Sequence, residues 1–191
     1  MATDQEVRNI LDLMKRVEIW VKSGRIPYNE AKSVLENLEN QYLILNEADH
    51  IIDLDAKPFI LTRWSVKEID QLASRVRGQF KYDHIGAKLH LSKNQQNGKI
   101  IWGHELRKEL ETQPVLNANL LDFYLVYPEL IPEEWKGKLV FFWGTIYRDS
   151  DDFLCVRCLR WRGDRWDWSR HHIDSDWSSS YPAVLLAQST P

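Results

Sequence analysis

Cys155-Val156-Arg157-Cys158, with His171-His172 further along the chain, comes nearest to a chemical motif, because paired thiolates and imidazoles are the ligands of tetrahedral zinc. The local pattern is that of a β-strand, however, in which residues i and i+3 point to opposite faces. No Gly or Pro lies between the two cysteines to fold a metal knuckle, so two small buried thiols are the expected state. A dithiol redox reading lacks the helix that should follow the second cysteine. His104-Glu105 opens like a metalloprotease helix, but Lys108 stands where the second histidine belongs. Gly98 and Gly103 have the spacing of a phosphate-binding loop, yet His104-Glu105 replaces the Lys-Ser/Thr that would hold phosphate and magnesium.

Paired carboxylates at Glu133-Glu134, Asp151-Asp152 and Asp174-x-Asp176 have the types needed for acid–base work or a divalent cation. Each pair falls in a turn, where solvated Asp and Glu are common. There is no Gly-x-Ser-x-Gly elbow and no Gly-x-Gly-x-x-Gly turn, so serine hydrolase and dinucleotide readings have no anchor. Arg162-Gly163-Asp164 is read as a hairpin turn. What remains is a set of rings and cations: Arg157, Trp161, Trp166, Trp168, Arg170 and His172, the kind of platform on which bases or sugars stack. Trp and Phe on a small sheet are more often its core, and a cross-strand Trp161/Trp166 pair stabilises a hairpin whatever the function.

These side chains must be positioned by the strands that carry them. After Gly137 the apolar period becomes two, and residues 139–148, 153–161 and 165–173 read as three antiparallel strands. Pairing Trp161 with Trp166 across Gly163-Asp164 sets Arg157 opposite Arg170 and Leu159 opposite Trp168. Pairing Arg148 with Phe153 sets Gly144 opposite Arg157 and places Phe142, Ile146 and Cys155 on the face of the Trp residues. Helices are expected at 103–111 and, capped by Asn117, up to Pro128. A helical turn is expected near 65–77, strands at 79–82, 87–91 and 99–102, and a hairpin-type turn at Asn97-Gly98.

Upstream, Val7, Ile10, Leu11, Met14, Val17 and Val21 form one helical stripe, and Ala31, Val34, Leu35, Leu38, Tyr42 and Leu45 a second. The Gly24 to Pro27 break between them predicts an antiparallel helical hairpin, joined by an acidic linker around Asp49, Asp53 and Asp55. The expected fold is therefore α+β: a helical hairpin and linker over 1–58, then a domain over 59–191 with a C-terminal antiparallel sheet of at least three strands. A hairpin this small must pack against the rest of the chain or against a second copy or partner, and Val7, Met14, Leu35 and Leu38 are the expected contacts of a homodimer or a protein partner.

At 191 residues, 43% hydrophobic and 28% charged, with 25 basic against 28 acidic side chains, the chain reads as a soluble globular protein. No apolar run is long enough to span a membrane, no leader is evident, and two cysteines make no disulfide framework, so a cytoplasmic location is expected. Only residues 61–113 carry a basic excess, through Arg63, Lys67, Arg75, Arg77, Lys81 and Lys88 among others.

Val115-Leu-Asn-Ala-Asn-Leu-Leu-Asp122, Leu130-Ile-Pro-Glu-Glu-Trp-Lys-Gly137 and Phe141-Phe-Trp-Gly-Thr-Ile-Tyr-Arg148 resemble a family of uncharacterised bacterial proteins, mainly from uncultivated candidate phyla. The resemblance runs from about Gly78 to Ala187, including Gly78-Gln-Phe80, Leu91-Ser92 and Gly103-His-Glu-Leu-Arg-Lys-Glu-Leu110. It implies a bacterial origin and a unit of folding, and it carries no catalytic residue. The failure of each catalytic motif favours a non-enzymatic interaction or ligand-binding module with no cofactor. Single-stranded nucleic-acid binding by the Arg/Trp face is the first alternative, weakened by the acidic balance of the chain. The second is a metal-dependent hydrolase drawing ligands from Cys155, Cys158, His171, His172 and nearby Asp.

Overall fold

A computed structural model describes residues 51–82 and 86–187, together with Val17, residues 21–23 and Lys32. The chain divides into two units, 1–51 with 81–83 and 52–80 with 84–191. The predicted helical hairpin, with Val7, Met14, Leu35 and Leu38, lies outside the described residues apart from those few positions.

Among the described residues there are nine strands in three sheets and two α-helices. They are β1 (Ile51–Asp53), β2 (Gln79–Lys81), β3 (Ala87–His90), β4 (Ile101–Trp102), α1 (Gly103–Leu110), α2 (Ala118–Val126), β5 (Leu139–Arg148), β6 (Leu154–Trp161), β7 (Trp166–His172), β8 (Asp176–Trp177) and β9 (Ala183–Leu186). Strands β1 and β2 pair with each other, as do β4 and β8, and the remaining five form one sheet in the order β3-β9-β5-β6-β7. This corrects the expected fold. The main sheet is mixed, because β9 runs parallel to β5 at Phe141 and Ala183 while pairing antiparallel with β3. Ala183-Val-Leu-Leu186 shows no alternation, as suits a strand buried on both faces, so it gave no strand signal of period two.

Other expectations change as well. The 65–77 segment holds only a short 3-10 turn at Glu68–Asp70. Asn97 and Gly98 do form a tight turn, with φ of 56 and 75°, but β3 and β4 on either side belong to different sheets and make no hairpin.

The strands β5, β6 and β7 and both helices fall close to their predicted positions. Helix α2 starts where the Asn117 side chain accepts from the Asn119 N–H, and it ends before Pro128. Its run Leu120-Leu121 is buried, as is most of β5. A core of Leu106, Leu110, Phe141, Trp143, Val156 and Trp177 fills the sheet face toward α1. Helix α1 reaches that face because Gly103 has no side chain: a Cβ there would stand 2.1 Å from the Ile173 carbonyl oxygen.

The register of β5 on β6 differs from expectation. Arg148 pairs with Leu154, not Phe153, since the Asp149 N–H bonds the Phe153 carbonyl and draws Phe153 into the turn. Tyr147, not Ile146, therefore shares a face with Cys155 and Arg157. Pairing is then interrupted between Ile146 and Phe141, so Arg157 sits opposite an arch of β5 over residues 142–145. The start of α2 fits into that arch. Gly144 N–H bonds the Leu116 carbonyl, the Thr145 hydroxyl accepts from the Ala118 N–H, and a Cβ on Gly144 would lie 2.9 Å from the Asn117 nitrogen.

Candidate functional site

The β6/β7 register is the predicted one: Trp161 with Trp166, Leu159 with Trp168, Arg157 with Arg170, and Cys155 with His172. Gly163, at φ +101°, takes the first position of the two-residue loop as a II′ hairpin requires. Hydrogen bonds from Arg162 N to Arg165 O and from Ile173 N to Leu154 O fix the phase of the ladder. The four pairs above are consequently the non-hydrogen-bonded ones, whose side chains lie closest. All six predicted site residues share this face, yet the structure sorts them into three separate places.

In the middle, Arg157 is only 2% exposed. Its Nη2 and Nη1 bond the two carboxylate oxygens of Asp122 at 2.7 and 3.2 Å, and the Tyr147 hydroxyl lies 3.4 Å from Nη1. The guanidinium is flanked by the rings of Trp168 at 4.6 Å, Phe59 at 5.4 Å and Tyr147 at 5.9 Å. Asp122 is one turn beyond Ala118, so the arch that admits α2 also delivers the carboxylate. Burial, opposed by the Arg157 cation, pushes the Tyr147 phenol up to about 12. Trp168 is held edge-on to Trp64, with ring centroids 6.5 Å apart. This part of the platform is filled by the chain itself.

At one end, Arg170 lies over Trp64 at 4.9 Å and 3.6 Å from Asp149. His172 bonds the same carboxylate at 2.9 Å and stacks on Phe153. Burial pushes the Asp149 carboxyl up, but the Asp151 N–H, His172 and the Phe153 N–H together hold it below its ordinary value.

At the other end, Trp161 and Trp166 meet edge to face with centroids 5.5 Å apart, both partly exposed. The Lys136 ammonium stands 4.1 Å over the Trp161 ring and 2.8 Å from Glu133. Leu125, Pro128, Glu129 and Asp164 complete a groove of about 350 Å³ beside the pair.

A larger cavity of about 500 Å³ opens beside Leu54, Gln71, Asn117, Asn119 and Thr145. Its amides are committed to the chain: Asn117 donates to Leu54 O, Asn119 to Asp53 O and Ala56 O, and Gln71 exchanges two bonds with Ile146.

Cys155 packs with Ala118 and Tyr147, whereas Cys158 lies in the core on the other face, and burial pushes both thiols up to about 12. Among the described residues no group of three or more His, Cys, Asp or Glu is placed to hold a metal ion. The predicted carboxylate pairs are engaged singly: Asp152 with Arg148, Glu133 with Lys136, and Asp174 with His104. No described helix is long and apolar enough to cross a membrane.

Asp122, Tyr147, Trp64, Asp149 and Lys136 were not singled out by sequence reasoning. For Asp122 a signal exists: the one charged side chain in a largely apolar helix and one Arg within Cys155-Val-Arg-Cys-Leu159 are each costly to bury alone. Comparison with family models, with curated proteins and with solved structures finds no match for this chain.

Proposed function

We propose that the protein is a non-enzymatic binding module and that its ligand contact is the groove at Trp161 and Trp166. One observation carries the reading: this ring pair keeps partly exposed faces beside an open concavity, whereas Trp168, though also partly exposed, is engaged by Trp64 and Arg157, and Arg157 is buried against Asp122 and Phe59. Trp is enriched among the anchor residues of recognition surfaces, and aromatic side chains commonly line ligand pockets. A cytoplasmic setting accords with the two unpaired thiols. The single-strand reading draws less support, since Arg157 and Arg170 are both engaged by Asp carboxylates. The hydrolase reading has no clustered ligand set behind it among the described residues.

A ligand-observed NMR screen of small polar fragments against the full chain tests the module. Hits that weaken at least ten-fold in Trp161→Ala and Trp166→Leu, in samples with unchanged near-ultraviolet circular dichroism, support it. Hits that bind both variants as well as the wild type remove the groove from consideration. Chemical turnover of a hit would overturn the non-enzymatic part.

A further inference from the structure

We infer that the Trp161/Trp166 groove is a site for a quaternary ammonium group, and that Lys136 is a built-in occupant which such a ligand displaces. The inference rests on the reading of this groove as the ligand contact and names the chemistry of the ligand.

Lys136 follows directly on the 3-10 turn Glu133–Trp135, which points its side chain back along the ring of Trp161. Its ammonium, 4.1 Å from the ring centroid, is well inside the range at which a cation is held by an indole face. Both oxygens of Glu133 lie within 2.9 Å of the same nitrogen. A cation is thus already seated between an aromatic wall and a carboxylate, and the chain supplies it from three residues away. Around it the groove presents Glu129, Glu133 and Asp164 against Lys136 and Arg165, so with Lys136 displaced the lining is clearly acidic.

The seat is easily vacated. The Glu133 side chain is 82% exposed, and an exposed ion pair contributes little once its desolvation and ordering are counted. Displaced, Lys136 returns to water and recovers its hydration and rotamer freedom.

The choice of a quaternary cation follows from competition. A primary ammonium ligand offers Trp161 nothing that Lys136 does not, and Lys136 has the advantage of being tethered. A methylated ammonium is weakly hydrated, needs no hydrogen bond from Glu133, and spreads methyl groups over ring surface of both Trp161 and Trp166. It gains where the primary amine loses.

The test uses the full chain, indole fluorescence and NMR, with tetramethylammonium chloride as the probe and ammonium chloride at equal ionic strength as the control. Saturable binding of tetramethylammonium, at least several-fold tighter than ammonium, is expected. Lys136→Ala, a surface change that leaves the core untouched, should tighten it by roughly five-fold, the fold-change of one modest cation–π contact removed from competition. Trp161→Leu should abolish it. Equal responses to the two salts, or weaker binding in Lys136→Ala, overturns the assignment. If tetramethylammonium fails while other fragments bind and depend on Trp161, the module stands and only the cationic ligand is lost.

Discussion

Both terminal nitrogens of Arg157 are given to the single carboxylate of Asp122, at 2.7 and 3.2 Å, among the three rings of Trp168, Phe59 and Tyr147. Removing one partner leaves a buried cation with no counter-charge. Asp122→Ala should therefore cost about 3–5 kcal/mol of folding stability, measured from urea unfolding midpoints. The paired change Asp122→Leu with Arg157→Met should recover most of that loss. A single mutant within about 0.5 kcal/mol of the wild type would show that Arg157 reaches solvent.

Gly103→Ala tests the seat of α1. The added Cβ meets a backbone carbonyl, that of Ile173, which has no rotamer to escape into, and the Trp177 indole nitrogen stands 2.5 Å away. The loss should exceed the roughly 1–3 kcal/mol of ordinary overpacking. Gly144→Ala, whose nearest atoms are 2.9 Å away at Leu116 and Asn117, should fall within that range. Equal thermal midpoints for both variants and the wild type would mean α1 and the β5 arch are loosely placed.

The Asp149 carboxyl is held below its ordinary value in the folded chain: burial raises it, and the bonds from Asp151, His172 and Phe153 outweigh burial. The folded state thus binds that proton less readily than the unfolded one. Its contribution is complete above about pH 4 and is lost as the pH falls through the depressed folded value. In Asp149→Asn the acid limb of stability against pH should flatten over that interval. Parallel curves for variant and wild type would remove Asp149 from the acid response.

Both thiols are fully buried and pushed up to about 12 by that burial. Reaction with a thiol reagent at neutral pH should wait on opening of the sheet, with Cys155 and Cys158 labelled together at one rate. Fast labelling of either one in the native state would place it on a mobile surface.

How far the fold could be read differs by element, for local reasons. The β6/β7 hairpin was legible because a two-residue loop at Gly163-Asp164 leaves a single register, and every partner from Trp161/Trp166 to Arg157/Arg170 follows from it. The β5/β6 register was not, because a five-residue turn permits two closures, and the arch at Gly144 answers to Leu116 and Asn117, far away in sequence. Strand β9 was missed for want of alternation, and with it the parallel pairing. Of the candidate site, the face was legible and the occupancy was not. Which ring is engaged depends on α2 bringing Asp122 to Arg157, and on Trp64 reaching both Trp168 and Arg170, contacts that no short spacing encodes.

Strand β7 is the outer strand of its sheet among the described strands, and the phase of its ladder turns the backbone groups of Trp166, Trp168, Arg170 and His172 away from β6. An outer row of that kind is a template for stacking one molecule's sheet onto the next. The Asp167 carboxylate bonds the Trp168 N–H at 2.8 Å and is itself gripped by Arg160 and Arg162. A neighbouring chain seeking to extend the sheet meets a donor already taken and a charge in its path. One acidic side chain folded onto its own backbone thus withdraws a donor from the outer edge of a Trp-rich hairpin.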